Sequence, residues 1–464
     1  MGQFLPFHSR LFDLVIVDEA SQVNIAEIIP AFYRGARVCV VGDHKQLGLN
    51  AAGLFTLNKT FEQLVWNLHF ADGQISFDAA KDRSLLVSKS SILEFTQEAL
   101  QLRPVTLTEH FRSHPKLARF TSDNFYADDG RGLRIMRELY GNVRRPCFRA
   151  VRVGGQRLQE EKIAPGEVNE TIRLLTSLMV NKSYMHDQDL KPHGYSDQTP
   201  PTIGVISFLT QQRNKLRAEI ESFAPELIEK HSLFVGTPED FQGNERNIMI
   251  LTFGLDPSLR YAKGFYEEPR RFNVATSRAI DFTYAIFGGL PSSADLICRY
   301  LRHFDPSVRI DESAPAPPSD TIVPAVEQIY WDYDRSRCES EFEQRVVEFL
   351  EAFCRIHQVN LFNQVESCGQ KRLDFVLYHE RTDVCVAVEV DGRDHYATDG
   401  RSYSEAHLDR VDILQRAGWK ILHIPYYAWY QNGWLADQSS PEFKQTLNRL
   451  TEDLRRLLGI VNRT

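Results

Sequence analysis

The chain has 464 residues, 42% hydrophobic and 25% charged, which suits a globular protein of about three domains and excludes collagen-like, coiled-coil or wholly disordered chains. No apolar run approaches the ~18 residues that span a bilayer, and Met1 to Arg10 lacks the apolar core of a secretion signal, so no membrane partner and a cytoplasmic location are expected. The net charge of −8 offers no overall attraction to nucleic acid, and the acidity is uneven: Val326 to Thr464 holds 17 Lys and Arg against 23 Asp and Glu.

In chain order, short β-rich apolar runs come first. Leu14 to Val17 is followed by Asp18 and Glu19, and Val38 to Val41 by Asp43. Ile203 to Ser207 and Asn247 to Phe253 are further runs, and their continuous apolar character predicts strands of a parallel sheet covered on both faces. The polar stretch from Asn181 to Pro201 predicts an exposed insertion without regular structure. Asp311 to Ala325, rich in Pro, Ser and Ala, reads as a linker. Beyond it, Phe342, Val346, Phe349 and Leu350 keep helical spacing within Ser340 to Phe353. Arg372 to Tyr378 and Val384 to Tyr396, joined at His379 to Asp383, predict a hairpin. The seven cysteines are scattered and never spaced C-x-x-C, which suggests neither a disulfide framework nor a cysteine-based zinc site.

Two groups of residues carry chemistry. The first begins with VIVDEASQ (Val15 to Gln22), where paired carboxylates end a strand at the sheet edge on which α/β folds bind ligands. In a nucleotide hydrolase, one acid holds Mg²⁺ and the other orients the attacking water. A D-E pair alone is equally well a solvated strand end. In the second group, Glu389 and Asp391 are two apart on one strand and share a face, and Asp374 on the hairpin partner lies beside them. Three carboxylates on one face repel unless a divalent cation such as Mg²⁺ joins them.

The order of motifs adds to the first group. After VIVDEASQ come VVGDHKQL (Val40 to Leu47), LTEHFRSHP (Leu107 to Pro115), IGVISFLTQQ (Ile203 to Gln212), VGTPEDFQGNERN (Val235 to Asn247) and RRFNVATSRA (Arg270 to Ala279). With these six motifs the first 310 residues resemble the superfamily 1 helicases, in the branch of the nonsense-decay and Okazaki-fragment helicases. The resemblance implies two RecA-like domains, a partial one over 1–108 and a second over 109–310, with ATP in the cleft between them. By the same resemblance Asp18 and Glu19 are the Mg²⁺-binding and water-activating acids. Gln22 and Gln46 sense the γ-phosphate, and Arg112 and Arg278 reach it from the second domain. Gln212 belongs to a motif at the cleft face, Gly243 and Glu245 meet nucleotide, and Thr237 is a candidate for the nucleic-acid backbone. The chain departs from the pattern in one respect, having no G-x-x-x-x-G-K-[ST]. The phosphate-cradling backbone and Lys of that loop are therefore expected from an upstream segment or a partner chain; a decayed ATPase is the remaining possibility.

Residues 326–430 resemble the very-short-patch-repair type endonucleases of the PD-(D/E)xK group, through the opening helix, the hairpin, E-x-D-G-x-x-H and LDRVDILQRAGWKILHI. This resemblance implies that Asp374, Glu389 and Asp391 bind the metal and that His395 positions or activates water. Glu343, or Glu341, is a further candidate, and Asp409, Arg410 and Asp412 lie on the helix behind the core. The group's usual Lys is replaced by Asp391, which leaves the general base open. The expected fold class is therefore α/β: RecA-like parallel sheets, the first incomplete, followed by a linker over 311–325 and a restriction-endonuclease-like α/β domain over 326–464. The expected function is an ATP-dependent DNA helicase portion coupled to a metal-dependent endonuclease, in repair or in defence against foreign DNA. Its partner would be DNA with a single-stranded region and its cofactors ATP and Mg²⁺. The alternatives are an RNA or ribonucleoprotein remodeller whose C-terminal domain only binds, and a non-catalytic interaction protein derived from a helicase.

Overall fold

A computed structural model describes residues 6, 8–49, 64, 66, 78–79, 90–127, 132–137, 144–154, 157–158, 160–255, 263–290, 294–308, 331–368, 371–397, 402–431, 434–435 and 439–460. The linker expected over 311–325 lies outside them.

The chain opens with β1 (Val15–Val17), α1 (Ile25–Arg34) and β2 (Val38–Val40). The two strands pair in parallel, Val15 opposite Val38. Asn24 caps α1 by accepting the Ala26 N–H at 2.8 Å. Val17, Ala20, Ile92 and Leu93 form a small core under this unit. Its other face is apolar and open: Ile16 is 63% exposed, and Leu14 and Val38 are exposed as well. A two-stranded parallel sheet is too small to cover both of its faces.

Next come β3 (Glu109–His110), α2 (Pro115–Thr121), β4 (Arg134–Ile135), β5 (Phe148–Arg152) and α3 (Pro165–Leu175). They are followed by β6 (Ile203–Ser207), α4 (Thr210–Ile220), β7 (Phe234–Gly236), β8 (Arg246–Thr252), α5 (Pro269–Thr276), β9 (Ala279–Phe287) and α6 (Asp295–Phe304). β3 and β4 form a separate parallel pair. The other five strands build one parallel sheet in the order β5-β9-β8-β6-β7. Alternate residues of β8 feed opposite cores, Met249 and Leu251 packing with Phe208, Phe253, Phe272 and Tyr300, and Ile248 and Ile250 with Val205, Leu175, Phe282 and Tyr284. The continuous apolar runs at Ile203 and Asn247 are therefore sheet-centre strands, as their pattern predicts. The stretch from Asn181 to Pro201 is not a bare insertion. It carries short 3₁₀ turns at Ser183–Met185 and Lys191–His193, and Tyr184 and Leu190 bury fully in the second core. Two apolar residues in a polar stretch anchor it without giving a period to read.

The C-terminal unit consists of α7 (Glu341–His357), β10 (Asn360–Ser367), β11 (Lys371–His379), β12 (Val384–Asp391), α8 (Glu405–Arg416), β13 (Lys420–Pro425) and α9 (Pro441–Leu458). β10, β11 and β12 form an antiparallel meander, and β13 joins β12 in parallel. α7 and α9 cover one face through Val346, Leu350, Leu450 and Leu454 against Phe375, Leu377 and Val388. Leu414 and Trp419 cover the other, where Met136 and Phe111 of the preceding unit join the same cluster. Cys368 Sγ donates to Met136 O at 3.3 Å, and Arg145 pairs with Asp383 at 2.8 Å. None of the seven cysteines forms a disulfide. Among the described residues no helix is long and apolar enough to cross a membrane.

Candidate functional site

The first group of expected residues gathers where the opening unit meets the five-stranded unit. β1 ends at Val17, so Asp18 and Glu19 follow at the carboxyl edge of the strand. Asp18 Oδ1 accepts the Glu19 N–H at 2.8 Å, and Glu19 takes a left-handed backbone with φ 49°, a conformation that non-glycine residues adopt mostly at constrained sites. Gly243 faces it across the cleft, where an added Cβ would stand 3.6 Å from Glu19 Oε1, and its φ of 76° also favours glycine.

Arg278, buried behind α5, donates to Gln46 Oε1 from across the cleft, and burial lowers its pKa. Gln46 Nε2 in turn donates to Asp43 Oδ2 at 2.9 Å. Arg112 pairs with Glu245. Both arginines are thus already held by polar partners at the junction. Gln22 is solvent-exposed beside this edge. Gln212 stands elsewhere. It is fully buried inside the second unit, accepting the Ala164 N–H at 2.9 Å and donating to Glu167 at 3.1 Å and Thr252 at 2.9 Å. With its amide committed to these groups, it does not reach the cleft face, contrary to the expectation. Thr237 likewise turns its hydroxyl to Asp240 at 3.3 Å.

Three residues that the motifs did not single out complete this junction. Tyr126 donates to Asp43 at 2.5 Å, Asn273 donates to Lys45 O at 2.9 Å, and Gln242 donates to Leu47 O at 3.1 Å. Asn273 and Gln242 lie inside quoted motifs, so their polar character was visible. Tyr126 carried no signal.

The second group lies on the C-terminal sheet. The β11–β12 register, Phe375 opposite Val388, sets Asp374 opposite Glu389 on one face. Asp374 Oδ2 accepts the Val390 N–H at 2.8 Å. Burial and the Glu389 charge push its pKa up to about 7. Burial also raises Glu389, whose Oε2 is paired with Arg410 at 2.8 Å and whose Oε1 is buried without a hydrogen-bond partner. Asp374 opens into a cleft of about 540 Å³ with Glu343, Arg372, Arg393 and His395 on its walls. Glu343 is set by the α7 cap, where its N–H donates to Ser340 Oγ at 3.0 Å. Glu341 also lines this cleft, its carboxylate 3.9 Å from Arg345. Asp409 and Asp412 are exposed.

Asp391 ends β12 on the same side and is completely buried, but it is held by different partners. His395 Nδ1 lies 3.2 Å from Oδ1, His423 Nδ1 lies 2.9 Å from Oδ2, and Tyr403 donates to Oδ2 at 2.7 Å. Burial opposes ionisation of Asp391, yet the His395 and His423 contacts outweigh it and hold the carboxyl well below its usual range. His395 is raised by the same bond. Among the described residues, the trio whose ligand atoms stand close enough to share one ion is Asp391, His395 and His407. The structure therefore brings Asp374 and Glu389 together, and separately Asp391 with imidazoles. His407 and His423 were not foreseen, although a His inside the apolar strand ILHI was a visible irregularity.

Known proteins resemble this chain over both regions. Profiles described as "AAA domain" match residues 4–48 and 88–288, and one described as "RAP domain" matches 388–436, which includes Glu389, Asp391, His395 and His407. Helicase SEN1 of Saccharomyces cerevisiae is 26% identical over 276 residues, 58% of this chain and 11% of its own length. An uncharacterized ATP-dependent helicase of Mycoplasma pneumoniae, the MG140 homolog, is 27% identical over 285 residues, 59% of this chain and 23% of its own. The regulator of nonsense transcripts 1 homolog of Arabidopsis thaliana is 27% identical over 285 residues, 58% of this chain and 19% of its own. The chain thus spans less than a quarter of the length of these relatives. The cleft residues Asp18, Glu19, Gln46 and Arg278 fall inside the matched AAA segments, and this portion of the chain is homologous to the Sen1/Upf1-like superfamily 1 helicases.

Proposed function

We propose that the first two units form the hydrolytic part of a helicase-type ATPase acting on nucleic acid, and that the C-terminal unit cleaves phosphodiesters with a divalent cation. The convergence of separate motifs on one junction carries the ATPase reading: Asp18 and Glu19 from the first unit, with Gly243, Arg112 and Arg278 from the second.

The residues fit a nucleotide's terminal phosphate and its Mg²⁺. An exposed carboxylate, Asp18, stands at the strand edge for the ion, and two guanidiniums lie opposite, Arg278 on Gln46 and Val274 O and Arg112 on Glu245, where Gln46 and Glu245 can give way to phosphate oxygens. Bound Mg²⁺ would supply charge neutralisation at the phosphates. Glu19 orients water, and Arg112 and Arg278 offset charge developing on the transferred group. The phosphate-cradling loop is supplied by an upstream segment or a partner chain. The chain alone is accordingly expected to show no ATP turnover, and measurable turnover by the purified chain would refute this arrangement.

The cleavage reading rests on Asp374 and Glu389. Two facing buried carboxylates, one with an oxygen lacking any hydrogen-bond partner, fit a divalent cation, with Glu343 nearby in the cleft. Arg372 and Arg393 on the rim suit a phosphate backbone. DNA with a single-stranded region is the preferred substrate, and repair or defence against foreign DNA the preferred setting, in a cytoplasmic protein. One observation favours a second reading, in which the domain only binds RNA or DNA: Arg410 already neutralises Glu389. Nicking of DNA with and without Mg²⁺ separates the two. Cleavage that disappears in Asp374→Asn supports the nuclease, whereas its absence in the parent protein supports the binding module.

A further inference from the structure

The buried cluster around Asp391 has chemistry different from that of the carboxylate pair beside it. Four elements converge there: Asp391 from the end of β12, His395 from the turn after it, His407 from the first turn of α8 and His423 from β13. Asp391 is 0% exposed, and among the described residues its ion-pair partners are imidazoles. A fully buried carboxylate needs a compensating cation, and the nearby Arg410 serves Glu389 instead. His407 supplies an independent sign of an absent ligand. Its side chain is 4% exposed, yet Nε2 has no hydrogen-bond partner and points at Asp391 Oδ1 from 3.8 Å.

The spacing suits a small tetrahedral ion. Ligands about 2.0–2.1 Å from Zn²⁺ stand about 3.3 Å from one another; Oδ1 lies 3.2 Å from His395 Nδ1 and 3.8 Å from His407 Nε2. We infer that Asp391, His395 and His407 form a Zn²⁺ site, with His423 and Tyr403 fixing the other carboxylate oxygen. Two imidazoles and one carboxylate select a borderline-soft ion over Mg²⁺, which prefers oxygen donors. His423 and Tyr403 play the part of outer partners that orient a ligating carboxylate. His395 is 32% exposed, which gives the ion an entry path and leaves the fourth position to water. The site adjoins the Asp374 cleft through His395 but takes neither Asp374 nor Glu389 as a ligand, and the inference does not depend on the cleavage reading.

The test is metal binding by the full chain, stripped with a chelator and titrated with Zn²⁺ and, as a spectroscopic probe, Co²⁺. One tight equivalent is expected, with the intense visible absorption of tetrahedral Co²⁺, distinct from any weaker binding at the oxygen ligands Asp374 and Glu389. His407→Ala should weaken binding by at least about 100-fold, since even loss of an outer partner costs about 10–100-fold. His407→Cys, which keeps a ligand, should retain the equivalent, and Asp374→Asn should leave it unchanged. If His407→Ala fails to fold, His395→Ala on the half-exposed side carries the same expectation. No bound equivalent, binding indifferent to both histidine changes, or binding lost in Asp374→Asn would each overturn the site. The Zn²⁺ equivalent is read directly, so its presence or absence stands apart from the outcome of the Mg²⁺-dependent nicking assay.

Discussion

Asp374 ties protonation to function at the residue scale. Its folded pKa of about 7 lies above the ordinary 3.8 because of burial and the facing Glu389, so the folded state holds the proton across that interval while the unfolded chain releases it. Stability in the absence of divalent cations is therefore expected to fall as pH rises from about 4 to about 7. Asp374→Asn should flatten this slope, as measured by denaturant titration in chelator. In the other cleft, Arg278 reaches Gln46 from a buried position. Arg278→Ala should lower ATP turnover of the chain assembled with a phosphate-loop segment by on the order of 10³-fold or more. A loss below about tenfold would remove it from phosphate contact. The acids after β1 and on β12 were legible at the residue scale, the D-E pair gaining weight only from the order of the motifs that follow it. Gln212 was misread because a motif gives neighbours along the chain and says nothing of the direction a side chain faces.

Among the elements, α7 shows how a cap serves a site. Ser340 accepts the Glu343 N–H and donates to Glu343 Oε1, both at 3.0 Å, which fastens the first turn and aims Glu343 into the cleft. Ser340→Ala is expected to cost about 1 kcal/mol of domain stability, read from the shift in urea midpoint. The helical spacing of Phe342, Val346 and Leu350 foretold this helix, and two β-rich runs joined by a short connection foretold the β11–β12 hairpin. β10 and the anchored turns at Tyr184 and Leu190 were not foretold, because a strand of mixed polarity and two isolated apolar anchors leave no regular period. The open face at Ile16 follows from the same logic in reverse: a continuous apolar strand asks for cover on both sides, and in the described residues one side lacks it.

Across the whole molecule, the helicase-like portion and the C-terminal unit share a packed contact. Met136 and Phe111 enter a cluster with Val365, Leu373 and Trp419, Arg416 stacks on Phe111 at 4.7 Å, and Arg145 pairs with Asp383. Phe111 and Met136 directly follow β3 and β4, and Arg112 is the next residue after Phe111. Met136→Asp would bury an unpaired carboxylate in this cluster. It is expected to split thermal unfolding into two transitions where the parent protein melts with the units coupled, as read by calorimetry; an unchanged trace would show that the contact does not join them.

Sequence alone determined the α/β class, the parallel strands and the two groups of acidic residues, because continuous apolar runs, ordered motifs and residue types are properties of the chain read locally. The hairpin already set Asp374 beside Glu389, and the register agrees. Only the tertiary structure decided what surrounds Asp391: the packing of α8 and β13 delivers His407 and His423 to it from residues 16 and 32 positions away. Such contacts arise from how elements pack, and no local pattern encodes them.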